Sequence, residues 1–186
     1  MKMPSLKKLF IDEANEKRQP NRHYPIFIIL VTLIDIALLI YTIVSNNGLV
    51  SMSENSMAGP SNYTLLRNGA KFVPCMKSTP DLALKQIVTC PSNRTCTYEE
   101  YLSYVCNTET FKGFPYQAYR FFIPMFLHAG IIHLVMNLVS QLMFGILLER
   151  KFGWIRIGII YILSGIGGTL LSAVGLPRSR KLFLYI

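Results

Sequence analysis

The stretch from Tyr119 to Gly153, YRFFIPMFLHAGIIHLVMNLVSQLMFGILLERKFG, decides the fold. It is apolar enough to enter a bilayer, yet it contains His128, His133, Asn137 and Gln141. Polar side chains are costly in hydrocarbon, so by default they indicate a functional site. His133 and Asn137 are four residues apart, which places them one turn apart on one helix face. Two such donors could stabilise a developing negative charge, or they could only hydrogen-bond neighbouring helices and pack a bundle.

The composition is typical of a membrane protein that also has a polar segment. Hydrophobic residues make up 51% of the 186 residues, and the mean hydropathy is +0.35. The net charge is +9, but the basic residues are spread along the chain without a nucleic-acid-binding motif. We interpret them as charges that flank membrane spans, and we expect the lipid bilayer, not nucleic acid, as a partner.

Residues 1–23 form a basic polar tail, and residues 24–44 are the first predicted transmembrane helix. An apolar run of this length is enough to cross ~30 Å of hydrocarbon. The basic residues of the tail predict that the helix starts on the cytosolic side. Asp35 lies at mid-depth and is either a proton or ion site or a carboxyl group turned inward and bonded to a neighbouring helix. The second interpretation is favoured, because no second intramembrane charge is visible as its partner.

Residues 45–128 are predicted to be a lumenal or extracellular loop, whose first part, 45–70, is rich in Ser, Asn and Gly and predicts a flexible linker. All the cysteines of the chain lie in this loop, which indicates disulfides in an oxidising compartment. They are Cys75, Cys90, Cys96 and Cys106. Three pairings remain open, and a zinc site is not favoured because no C-x-x-C spacing occurs, so we expect no metal. Two N-glycosylation sequons, at Asn62 and Asn93, lie in the same loop.

The rest of the chain predicts two more membrane helices. The second spans residues 129–148, a basic cytosolic turn spans 149–154, and the third helix spans 155–174. Residues 175–186 form an atypical tail that is too short to span the membrane. The fold class is therefore predicted to be an all-α integral membrane protein, a polytopic helix bundle.

Three motifs follow one another along the central stretch. They are Tyr119-Arg120, His128-x4-His133-x3-Asn137 and Gly145-x3-Glu149-x3-Gly153. Together they resemble the rhomboid family of intramembrane serine proteases, of the eukaryotic secretory-pathway type, with a partial rhomboid domain over roughly residues 110–175. Tyr119 stands where the family usually has tryptophan.

The resemblance implies a core of six helices, of which residues 1–186 supply three. It also implies cleavage, without a cofactor, of the transmembrane segments of single-pass proteins by a serine whose base is a later histidine. In this pattern His133 and Asn137 help to bind the oxyanion, His128 supports the loop geometry and Glu149 is structural. The expected location is a multi-pass membrane protein of the Golgi, endosome or plasma membrane.

The serine motif of the family, Gly-x-Ser-Gly, does not occur in residues 1–186, where Ser164-Gly165 is the nearest look-alike. The only further histidine is His23, in the predicted cytosolic tail. The expectation is therefore an N-terminal portion of a protease, truncated before its nucleophile and inactive by itself. The alternative is a catalytically inactive rhomboid-like protein that binds transmembrane clients. A di-iron site of the desaturase kind is not favoured, because two intramembrane histidines supply too few ligands.

The predicted topology can be tested by glycosylation mapping. We expect modification at Asn62 or Asn93, because the loop that contains them should be lumenal. A new sequon placed within residues 1–20 should stay unmodified. The reverse pattern of modification would invert the predicted orientation of the chain.

Overall fold

The computed structural model describes residues 23–76, 87–90, 94–108 and 116–175. The basic tail up to residue 22, the sequon asparagine Asn93 and the tail beyond residue 175 lie outside these ranges. Within them, three helices are long and apolar enough to cross a membrane, as predicted. These are α1 (Ile26–Ser45), α5 (Ile131–Phe152) and α6 (Trp154–Gly175).

Short elements fill the segment between α1 and α5. They are α2 (Asn62–Arg67), α3 (Val73–Met76), β1 (Ile87–Thr89), β2 (Thr95–Thr97), α4 (Tyr98–Val105) and two 3-10 turns (Ala118–Phe121 and Ile123–Met125). The strands β1 and β2 pair antiparallel, with Val88 opposite Cys96. Asn62, in the first of the two sequons, is exposed at the start of α2.

The helix α5 is longer than the sequence predicted, because it continues through Glu149 to Phe152. A π-helical segment at Gln141–Gly145 interrupts its regular geometry, and insertions of this type occur mostly at functional sites. The turn predicted over residues 149–154 is in fact reduced to Gly153, whose φ of 87° suits glycine at a helix C-terminus.

The first turn of α1 is capped by a carboxylate from the far end of α5. Glu149 is fully buried, and its two oxygens accept hydrogen bonds from the backbone N–H groups of Phe27 (2.8 Å) and Ile28 (2.9 Å). These N–H groups have no partner within their own helix, and the helix dipole favours a negative charge at this end. Gly145 allows the close approach, since a Cβ there would lie 2.7 Å from the Ile28 side chain.

The other end of α5 is capped by the loop that follows α1. Ile131 N–H donates to the Ala58 carbonyl (3.0 Å), and Ile132 N–H donates to the Met57 carbonyl (3.1 Å). The predicted flexible linker over residues 45–70 is therefore wrong in its central part. These residues supply the acceptors that the start of a membrane helix needs, and that contact orders them.

Two glycines and an asparagine make this contact possible. A Cβ on Gly59 would collide with the Ala129 carbonyl, and one on Gly130 would collide with the backbone at residues 57–58. The buried Asn55 amide donates to the carbonyls of Pro60 and Ala129, both at 2.8 Å. The loop is thereby fixed to the two residues that precede α5, and a larger residue at Gly59 or Gly130 would force the loop and α5 apart.

The segment between α1 and α5 has its own small core and contains two disulfides, one of which lies in that core. The buried residues of that core are Leu65, Leu66, Ala70, Phe72, Cys75, Tyr98, Leu102, Val105, Cys106 and Leu127. Cys75 pairs with Cys106 and Cys90 with Cys96, so the prediction of oxidised cysteines is confirmed and the open pairing is decided. The first bridge joins α3 to the end of α4 across the core.

Arg120 connects the parts of this small core. Its guanidinium is fully buried and donates to the carbonyls of Leu66 (2.8 Å) and Ala70 (2.6 Å), and its Nε donates to Gln117 (2.7 Å). A further N–H reaches the Val105 carbonyl at 3.4 Å. A buried charge is costly unless its donors are satisfied, and here one side chain satisfies the ends of α2 and α4 at once.

Asp35 faces the interior of the helix bundle, as the favoured interpretation predicted. It is 1% exposed, and the Gln141 amide on α5 donates to it at 3.4 Å and to Thr32 at 3.0 Å. Asp35 is thus bonded to a neighbouring helix, and the polar pair joins α1 to α5 at the π-helical segment of α5.

We expect Glu149→Ala to destabilise the protein by about 3 kcal/mol, because it removes two charge-assisted hydrogen bonds and leaves two buried donors unpaired. Glu149→Gln keeps one acceptor oxygen and should cost less. Thermal unfolding in detergent measures both variants, with Lys151→Ala, an exposed neighbour in α5, as the matched control. Equal unfolding temperatures for all three variants would contradict the capping role.

We expect Arg120→Lys to destabilise the segment between α1 and α5 by about 2 kcal/mol, because an ammonium group cannot reach the same set of carbonyls. The matched control is Arg67→Lys on the surface of α2, where the guanidinium only covers the Tyr104 ring at 4.6 Å. Limited proteolysis of residues 62–108 measures the effect. Faster cleavage in the control than in Arg120→Lys would contradict this assignment.

Candidate functional site

A cavity of about 400 Å³ lies beside α5, between that helix, the second 3-10 turn and α6. The three residues of the predicted constellation, His128, His133 and Asn137, all line it. The remaining lining residues are Lys71, Pro124, Met125, Leu127, Ser140, Gln141, Tyr161, Ser164, Gly165, Thr169 and Ser172. A mixed wall with several hydrogen-bond donors suits a ligand with polar groups, such as a peptide backbone.

The start of α5 places the constellation. Because the helix begins at Ile131, His133 lies in its first turn and Asn137 one turn further along. Both side chains are half-buried and line the same cavity. The described residues include no hydrogen-bond partner for the Asn137 amide, whose N–H groups remain available to a ligand.

His128 precedes the helix and is held by its own loop. It is buried, its Nδ1 lies 3.1 Å from the Phe126 carbonyl, and its ring centre is 5.5 Å from that of His133. Since a carbonyl oxygen only accepts, Nδ1 carries the proton. Burial lowers the pKa of His128, and the neighbouring His133 lowers it further, so the neutral imidazole is favoured. The ring is therefore fixed in position and tautomer.

Ser164, the serine look-alike, lies on α6 in the cavity wall. Its hydroxyl donates to the Tyr161 carbonyl of its own helix at 3.0 Å. The next residue, Gly165, allows α6 to pack closely against the second 3-10 turn, because a Cβ at this position would collide with the Met125 side chain. The small residues of α6 thus permit close contact with the turn that precedes α5.

Sequence analysis did not single out Lys71 as a site residue. This side chain is 8% exposed, lines the cavity and donates to the Ser172 hydroxyl on α6. Burial lowers the pKa of Lys71. The sequence feature that could have identified Lys71 is its position as the one charged residue in the otherwise apolar run Ala70-Lys71-Phe72-Val73. Its position in the cavity depends on how the loop folds back over α6, which local sequence does not encode.

Comparison with known proteins supports a single family. The chain is 38% identical to Rhomboid-type serine protease 2 of Emericella nidulans over 63% of this chain and 26% of that protein. It is 56% identical to RHOMBOID-like protein 6, mitochondrial, of Arabidopsis thaliana over 34% of this chain and 20% of that protein. Inactive rhomboid protein 2 of Homo sapiens is 43% identical over 44% of this chain and 10% of its own length.

The family model described as the rhomboid domain matches residues 115–184. That range contains the Tyr119-Arg120 pair, the His/Asn constellation and the Gly/Glu/Gly motif. The chain spans about a quarter or less of the length of the relatives named above. With three membrane-spanning helices in the described residues and this domain match, the chain belongs to the rhomboid family.

Proposed function

We propose that the protein is an intramembrane serine endopeptidase that cleaves transmembrane segments of membrane proteins. In this proposal, residues 1–186 supply the side of the site that stabilises the oxyanion. The nucleophilic serine and its base histidine are not among these residues. One relative, the Emericella nidulans protein, is described as a serine protease, which supports the reaction class.

The observation that carries the proposal is the pair His133 and Asn137 on one face of α5, both in the wall of one cavity. Attack on a peptide carbonyl places negative charge on its oxygen, and donors fixed in a dry site stabilise that charge. An imidazole N–H and an amide N–H one turn apart can approach the same oxygen. The third residue, His128, acts as a positioning residue in this proposal, since its ring packs against His133.

In this proposal residues 1–186 supply the donors that stabilise an oxyanion, but they do not supply the serine whose attack generates it. Ser164 is a poor candidate for the nucleophile, because its hydroxyl is bonded to a carbonyl of its own helix. No described histidine side chain is bonded to it as a base. Residues 1–186 by themselves should therefore cleave nothing.

The second candidate function is binding without cleavage. Two relatives, from Danio rerio and Homo sapiens, are described as inactive rhomboid proteins and match this chain at 51% and 43% identity. A protein of this kind would hold a transmembrane client against the same cavity without breaking it. The proposed location, with the cavity facing the lumenal side of a secretory-pathway membrane, is the same for both functions.

We expect Asn137→Ala to lower kcat about ten- to a thousandfold, as the loss of one oxyanion-hole donor does elsewhere, with little change in KM. Cleavage of a transmembrane reporter in proteoliposomes by the protein that contains this chain measures the effect. The matched control is Ser164→Ala on the facing helix, which should leave kcat unchanged. Robust cleavage by residues 1–186 alone that depends on Ser164 would overturn this assignment. Reporter capture without cleavage would favour the client-binding function instead.

A further inference from the structure

The cavity wall contains one charged side chain that the proposed chemistry does not use. Lys71 comes from the loop after α2, and its ammonium group donates to the Ser172 hydroxyl near the end of α6. The side chain is 92% covered by the rest of the protein, since only 8% of it is exposed. It belongs to none of the three motifs that identify the family.

No described residue forms an ion pair with Lys71. Among the described residues that line the cavity, none has a carboxylate group. A hydroxyl is a weak substitute for a counter-charge, and a buried cation without one is costly. Burial accordingly lowers the pKa of the Lys71 ammonium group. An anion that bound Lys71 would remove this cost, and so the buried ammonium group favours a ligand with negative charge.

The depth of Lys71 indicates where that charge would lie. Ser172 is eight residues beyond Ser164 on α6, or ~12 Å along the helix axis. In the predicted topology this is the lumenal end of the cavity. His133 and Asn137 line the same cavity and offer donors suited to peptide carbonyls. A polypeptide is thus favoured over a lipid, because the described cavity wall combines Lys71 with donors that suit peptide carbonyls.

We propose that Lys71 binds the carboxylate of an aspartate or glutamate at the lumenal end of the transmembrane segment that occupies this cavity. The inference rests on the proposed function only in that the cavity holds a transmembrane polypeptide, whether or not it is cleaved. Lys71 is then a specificity-determining residue. It selects segments by their charge at one position and takes no part in the bond-breaking step.

The test uses two transmembrane reporters that differ only in Asp or Asn at the first lumenal residue, each with a photo-crosslinking residue at mid-membrane. We expect the wild-type chain in microsomes to crosslink the Asp reporter about ten- to a hundredfold better, as a hydrogen bond between charged groups predicts. Lys71→Met should remove the preference. Lys151→Met, a matched change at an exposed position on α5, should keep it. Lys71→Glu should reverse it towards a reporter with Lys at that position.

The outcomes separate this inference from the proposed function. Equal crosslinking of the Asp and Asn reporters by the wild-type chain would overturn the role of Lys71 and leave the proposed function standing. Absence of any crosslink would overturn both. A dependence on Lys71 that is identical for both reporters and requires phosphatidylglycerol in reconstituted vesicles would assign the cation to a lipid phosphate, which also overturns the inference. Rescue of Lys71→Glu by the Lys reporter excludes a merely structural role.

Discussion

The carboxylate of Glu149, buried against the first turn of α1, is the contact on which the arrangement of the helices depends. The start of a membrane helix exposes N–H groups that hydrocarbon cannot satisfy, and each unpaired group costs several kcal/mol. Glu149 satisfies two of them across more than a hundred residues of chain, with Gly145 providing the space. The same constraint acts at the start of α5, where the carbonyls of residues 57 and 58 are the acceptors. Both ends of α5 are therefore fixed by other parts of the chain.

A helix fixed at both ends is a suitable support for polar groups that must hold one geometry. His133 and Asn137 lie in the first two turns of α5, close to the capped end. The amide of Gln141, one turn further, ties the same helix to Thr32 and Asp35 of α1. Groups that stabilise developing charge are effective when they need no rearrangement, which requires such a rigid support.

The segment between α1 and α5 acts as a structured platform for the site. The buried guanidinium of Arg120 joins the ends of α2 and α4, and the disulfide between Cys75 and Cys106 closes the same core. This platform supplies the carbonyls that accept from the first N–H groups of α5, and it also supplies Lys71, whose side chain lines the cavity. The site is thus built from the membrane helix and the loop together, and loss of either should disturb the other.

The sequence by itself determined the three membrane helices, the oxidised cysteines and the motif residues, because hydropathy, the clustering of cysteines in one segment and residue spacing can all be read directly from the chain. It placed His133 and Asn137 on one face, since helical periodicity alone dictates that. Only the tertiary structure decided which cysteines pair, that residues 55–60 are ordered against α5, and that Lys71 reaches Ser172. The Cys75–Cys106 bridge, the order of residues 55–60 and the Lys71–Ser172 contact all join residues far apart in sequence, whereas Cys90 and Cys96 are brought together within the short β1–β2 hairpin. The Ser-, Asn- and Gly-rich composition of residues 45–70 predicts a flexible linker. The structure orders its central part because the first N–H groups of α5 need acceptors, which the carbonyls of residues 57 and 58 provide.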